Sequence, residues 1–120
     1  MFSLDGSMRY LLYNRPTDMR KSYHTLCGIV NNVLSRDPYN GDVYIFINKP
    51  RNRIKLLHWE PGGLVLYSKM LERGTFGRCP KAGREQETAL LEWDDLARIV
   101  EDVLTHPGQG KRGQRCPKKV

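Results

Sequence analysis

Three apolar segments rich in β-branched and aromatic residues follow one another between residues 42 and 71: D-V-Y-I-F-I-N (42–48), R-I-K-L-L-H-W (53–59) and L-V-L-Y-S-K-M-L (64–71). Such residues suit a pleated, half-buried surface. Lys49-Pro50-Arg51-Asn52 joins the first pair, with proline at the second position of a type I turn, and Glu60-Pro61-Gly62-Gly63 joins the second. Segments linked this tightly are expected to form an antiparallel, three-stranded meander.

The flanking stretches carry other periods. Residues 8–14 (M-R-Y-L-L-Y-N) are apolar on both alternating faces and end at Arg15-Pro16, as a strand covered on both sides should. Met19, Tyr23, Leu26, Val30 and Val33, widened by Cys27 and Leu34, form an amphipathic stripe that predicts a helix capped by Thr17 or Asp18 and stopped by Asp37-Pro38. Residues 74–87 read as an irregular connection, and Ala89-Leu90-Leu91 as a short edge strand. Trp93, Leu96, Ala97, Val100, Val103 and Leu104 mark a second amphipathic helix, ended by His106-Pro107-Gly108. The order β-α-β-β-β-(β)-α predicts an α+β fold, an antiparallel sheet of about four to five strands packed with two helices, rather than a doubly wound parallel sheet. At 120 residues the chain is expected to hold a single domain over 8–106, with a flexible start (1–7) and a basic disordered tail (107–120).

No apolar run approaches the ~20 residues of a membrane-crossing helix, and residues 1–7 lack the basic-then-apolar pattern of a secretory signal. A cytoplasmic protein without membrane contact is the expectation. Cys27, Cys79 and Cys116, like His24, His58 and His106, are scattered and form no C-x-x-C or other ligand spacing, so neither disulfide, metal nor other cofactor is expected.

Charge is distributed unevenly. The net charge is +7, yet residues 1–48 sum to +1, 49–84 to +7, 85–110 to −6 and 111–120 to +5. Such a balance favours a polyanionic partner. Lys49, Arg51, Arg53 and Lys55 cluster at and beside the first turn, and the alternation of Arg51, Arg53 and Lys55 predicts one shared strand face. Their mutual repulsion costs a few tenths of a kcal/mol per neighbouring pair unless an anion relieves it. Arg20 and Lys21 open the first helix, where cations oppose the macrodipole and free amides suit a phosphate. Lys69 and Arg73, followed by Arg78, Lys81 and Arg84, would extend the patch if the strands are adjacent. Tyr44, Phe46, Trp59, Tyr67 and Phe76 interleave with these cations, but aromatics in half-buried strands belong to a core more often than to a stacking platform.

Catalytic signatures are missing: no phosphate-binding glycine loop, nucleophile elbow or H-E-x-x-H occurs. A metal-dependent nuclease would need carboxylates such as Asp42, Glu60 and Glu72 to converge on one point, and their spacing does not require it.

Four blocks in this order, D-M-R-K-S-Y-x-x-L (18–26), P-x-x-G-D-V-Y-I-F-I-N-K (38–49), R-I-K-L-L-x-W (53–59) and G-L-V-L-Y-x-K-x-L-E-R-G-x-F (63–76), resemble the TnpB accessory proteins, second open reading frame, of the insertion-sequence-sixty-six family of bacterial transposable elements. The likeness covers roughly residues 8–104. It implies a non-enzymatic protein that assists transposition beside a separate transposase, and it maps the family's basic positions onto Arg20, Lys21, Arg53, Lys55, Lys69 and Arg73. His24-Thr25, His58, Met70 and Cys79 depart from the family pattern. The expected partners are element DNA, through its phosphates, and the transposase of the same element. The alternative is an adaptor that binds the transposase without touching DNA.

Overall fold

The computed structural model describes residues 4–78 and 88–101. Strands β1 (Tyr10–Tyr13), β2 (Val43–Ile47), β3 (Arg53–Glu60), β4 (Gly63–Met70) and β5 (Thr88–Leu91) form one sheet in the order β4-β3-β2-β1-β5. Helix α1 (Tyr23–Gly28) continues into a π-helical stretch, Ile29–Val33, and α2 (Trp93–Glu101) follows β5. The fold is α+β with five strands, as expected. The meander β2-β3-β4 and the edge strand β5 are antiparallel.

One ladder departs from the antiparallel expectation. β1 and β2 run parallel, with Tyr10, Leu11 and Leu12 beside Val43, Tyr44 and Ile45. The helical connection between them is the reason: a crossover carries the chain back to the end of the sheet at which β1 began, whereas a tight turn reverses its direction. The sheet is therefore mixed.

Alternation along the strands sorts the core into two layers. Tyr10, Leu12, Val43, Ile45, Ile54 and Leu56 face Leu96 and Ile99 of α2, together with Phe76. Leu11, Tyr44, Phe46 and Leu57 face Met19, Leu26 and Val30 on the α1 side. β2 is buried along its whole length, which explains its unbroken apolar sequence. Of the interleaved aromatics, Tyr44, Phe46 and Phe76 are fully buried core residues. Leu4, in the stretch expected to be a flexible start, packs against the α2-side core, and the Asp5 carbonyl accepts the Tyr10 hydroxyl at 2.6 Å.

The first helix starts later than its stripe suggested. Thr17 and Asp18 do not cap it; Ser22 occupies the N-cap position, and residues 18–21 form a turn closed by the Lys21 amide on the Asp18 carbonyl at 3.1 Å. The Leu34 amide then reaches back five residues to Ile29 at 3.0 Å. This wider turn advances the phase by one residue, so Leu34 and Ile29 pack inward while Val33 turns out, 48% exposed.

In α2 the buried residues are Leu96 and Ile99. The Asp95 carboxylate accepts the Glu92 amide at 2.9 Å, one arm of a capping box, and Asp94 and Asp95 suit the positive end of the helix. Val103, Leu104, the stop at residues 106–108, the tail, Cys79, Lys81 and Arg84 lie outside the described residues.

Candidate nucleic-acid interface

The turn between β2 and β3 is built by Asn48. Its Oδ1 accepts the amides of Asn52 and Arg53, both at 3.0 Å, its Nδ2 donates to Asn52 Oδ1 at 2.8 Å, and its carbonyl accepts the Arg51 amide at 3.0 Å. The turn thus begins one residue earlier than expected, and Pro50 falls at its third position. An asparagine just before Lys-Pro was the available signal, since Asx side chains bond backbone amides nearby.

That shift decides where the cations go. Arg51 takes a left-handed conformation, φ 60°, and its guanidinium donates to the Gly77 carbonyl while its own carbonyl accepts the Phe76 amide. Burial, and secondarily Arg78, holds its pKa below the ordinary arginine value. Arg51 therefore ties the turn to the chain following β4 instead of sharing a strand face with Arg53 and Lys55.

Arg53 and Lys55 do share the α1 face. The Arg53 guanidinium, exposed, lies against the Met70 sulfur with Nε 3.3 Å from it. Lys55 reaches across to the turn before α1, donating to the carbonyls of Met19 at 2.8 Å and Lys21 at 2.7 Å. Two of its three donors are thereby spent on backbone, and the turn carrying Arg20 and Lys21 is docked on β3. The Thr17 amide, bonded to the Ile47 carbonyl at 2.9 Å, anchors the same stretch to β2.

Arg20 projects into solvent in a fork with Asp18: Nη2 lies 2.7 Å from Oδ2 and Nε 3.1 Å from Oδ1, while the Arg20 amide donates to Oδ1 at 2.9 Å. These bonds, the guanidinium first, hold the Asp18 carboxyl well below the usual carboxylate range. The amides of Arg20 and Lys21, on which a helix-start phosphate site would have drawn, are thus both occupied by Asp18.

Between this turn and the β2–β3 turn runs an open groove of about 380 Å³. Arg20, Asp18 and Pro16 line one wall; Lys49, Pro50 and Arg53 line the other. The groove brings together Arg20, Lys49 and Arg53, with Lys55 holding one wall in place. It does not bring in Lys69, which pairs with Ile54 and so points to the opposite, α2 face. Nor does it bring in Arg73, which lies beyond β4 and has interactions of its own. The acidic first turn of α2 lies across the other face of the sheet from this groove.

A second hollow, about 470 Å³, lies between residues 6–9 and the start of α2, but its cation, Arg9, is paired with Asp42 at 2.9 Å and flanked by Glu92 and Asp94. The carboxylates weighed for nuclease chemistry do not converge. Asp42 and Glu60 lie at the His58 end of the sheet, and Glu72 follows the Met70 end. Among the described residues no group of three or more His, Cys, Asp or Glu is placed to hold a metal.

Comparison with known proteins gives the kinship of this α+β domain. The chain belongs to the IS66 Orf2-like protein family, whose model matches residues 8–107. Two relatives from Sinorhizobium fredii (strain NBRC 101917 / NGR234) are similar: uncharacterized protein y4jC, 33% identical over 76 residues (63% of this chain, 65% of that protein), and uncharacterized protein y4hO, 32% identical over 60 residues (50% and 52%). The match thus spans about two-thirds and one-half of their lengths. No solved structure matches the chain at a significant level.

Proposed function

We propose that this protein assists transposition by holding element DNA through its phosphates in the groove walled by Arg20, Lys49 and Arg53. The observation that carries this reading is the meeting of cations from two stretches about thirty residues apart in sequence on one open surface, clear of the acidic helix. Groups of this kind position a duplex without reading its bases. Three engaged phosphates predict that log K falls against log salt with a slope of about −3.

The test is fluorescence anisotropy with a short labelled duplex across a salt series. Arg53→Ala is expected to weaken binding several-fold and flatten the slope by about one. Asp18→Asn, which removes the groove's anion and frees Arg20, is expected to strengthen it. Absence of binding at ~50 mM salt, with transposase capture that survives nuclease treatment and Arg53→Ala, would instead establish the protein-only adaptor.

A further inference from the structure

β4 is an outermost strand, and among the described residues nothing pairs with its outer edge. Its eight residues, G-L-V-L-Y-S-K-M, include one charge and no proline, so Lys69 alone among the usual devices guards this edge. Leu64 to Tyr67 are only half buried, on both faces.

Which backbone groups point outward follows from the ladder. The Leu71 amide donates to the Asn52 carbonyl at 2.8 Å, and hydrogen-bonded pairs alternate along antiparallel strands. Lys69, Tyr67 and Val65 therefore bond to β3, while the N–H and C=O groups of Leu64, Leu66, Ser68 and Met70 face away from it.

We propose that β4 pairs antiparallel with β4 of a second copy of this chain, about a two-fold axis at Leu66, to make one ten-stranded sheet. Only registers joining outward-facing residues can bond, and the two nearest the middle of β4 turn about Leu66 and about Tyr67; the first sets Leu66 against Leu66, Leu64 against Ser68 and Val65 against Tyr67. It also sets Lys69 of one copy against Gly63 of the other. Gly63 has no side chain, and its neighbour on β3 is Glu60, on the same sheet face as His58, whose Nε2 lies 3.9 Å from the Glu60 carboxylate. The second copy's Lys69 thus looks over Gly63 toward an opposite charge, once at each end of the interface. In the register about Tyr67 Lys69 would instead face Val65, beside His58, so the charge match selects both the Leu66 register and a second copy as the occupant. The pairing keeps like faces together, and strand geometry puts the two Arg53 positions roughly 30 Å apart, near one turn of B-DNA. The pairing itself stands whether or not the groove takes DNA.

Sedimentation equilibrium of the full chain at up to about 100 μM tests it, with an expected mass twice the 13.9 kDa of one chain. Ser68→Pro removes an amide that its own sheet does not use, and is expected to give a monomer with an unchanged circular dichroism spectrum. Lys69→Glu is expected to weaken association about tenfold, and Lys69→Glu with Glu60→Lys to restore it. A wild-type chain that stays at single-chain mass overturns the proposal, as does a dimer that Lys69→Glu leaves untouched, whatever the fate of the proline variant.

Discussion

Cations a residue or two apart do different work here, because backbone conformation decides what each can reach. Arg53 stands on a regular strand and keeps its guanidinium in solvent. Lys55, two residues on, spends its ammonium on two carbonyls, and Arg51, two residues back, is folded under the turn against Gly77. Charge-assisted hydrogen bonds to backbone contribute about 1.5–3 kcal/mol each before solvent screening. Lys55→Met is therefore expected to lower unfolding stability by about 2 kcal/mol in urea titrations while leaving the DNA salt slope near its parent value, because the Thr17 amide on the Ile47 carbonyl still anchors the Arg20 wall. Arg53→Ala should do the reverse, changing stability by less than about 0.5 kcal/mol. If the two variants behave alike, this division of labour is wrong.

Turns and helix phase decide which side chains an element presents. Asn48 satisfies two amides through one side-chain oxygen and so fixes where the β2–β3 turn begins. Asn48→Ala leaves those amides without that acceptor and is expected to cost about 2 kcal/mol, measured by thermal or urea unfolding. Because the turn also places Lys49 and Arg53, this variant is expected to weaken DNA binding as well, which separates it from Lys55→Met. The β3–β4 turn has Pro61 and Gly62 at its centre, and Gly62 at φ 102° takes a conformation that a side chain resists. The π-helical stretch after α1 does for the helix what the earlier turn does for the hairpin: a single extra residue per turn exchanges Val33 for Leu34 at the core.

For the molecule as a whole, covering both faces of the sheet buries two tyrosines that titrate together with folding. Burial raises the pKa of Tyr10 and Tyr44 above the ordinary value of 10.0. The folded state favours the neutral phenols, so their contribution is present below that value and is lost as pH rises through the raised ones. Urea midpoints are expected to hold to about pH 9.5 and then fall, and Tyr44→Phe should flatten the decline. An equally steep loss in Tyr44→Phe would assign it to other groups. The same two-sided covering separates the charges, with the cationic groove on the α1 face and the acidic start of α2 on the other.

Local sequence was enough to set the order of elements, the meander, the edge strand β5 and the apolar strand residues of the core, since periods of two and 3.6 and the Pro-Gly turns act within a few residues; in the helices Val33 and Trp93 of the expected stripes stand exposed and Ile99 is buried instead. The cluster at residues 49–55 and the pair Arg20-Lys21 were equally visible as charge. Folding in three dimensions settled the rest: the parallel pairing of β1 with β2, the removal of Lys69 to the opposite face, the use of Lys55 and Arg51 as backbone clamps, and the meeting of Arg20 with Lys49 and Arg53. Each depends on the register between distant stretches, and because strand side chains alternate, a shift of one residue sends a charge to the other side of the sheet.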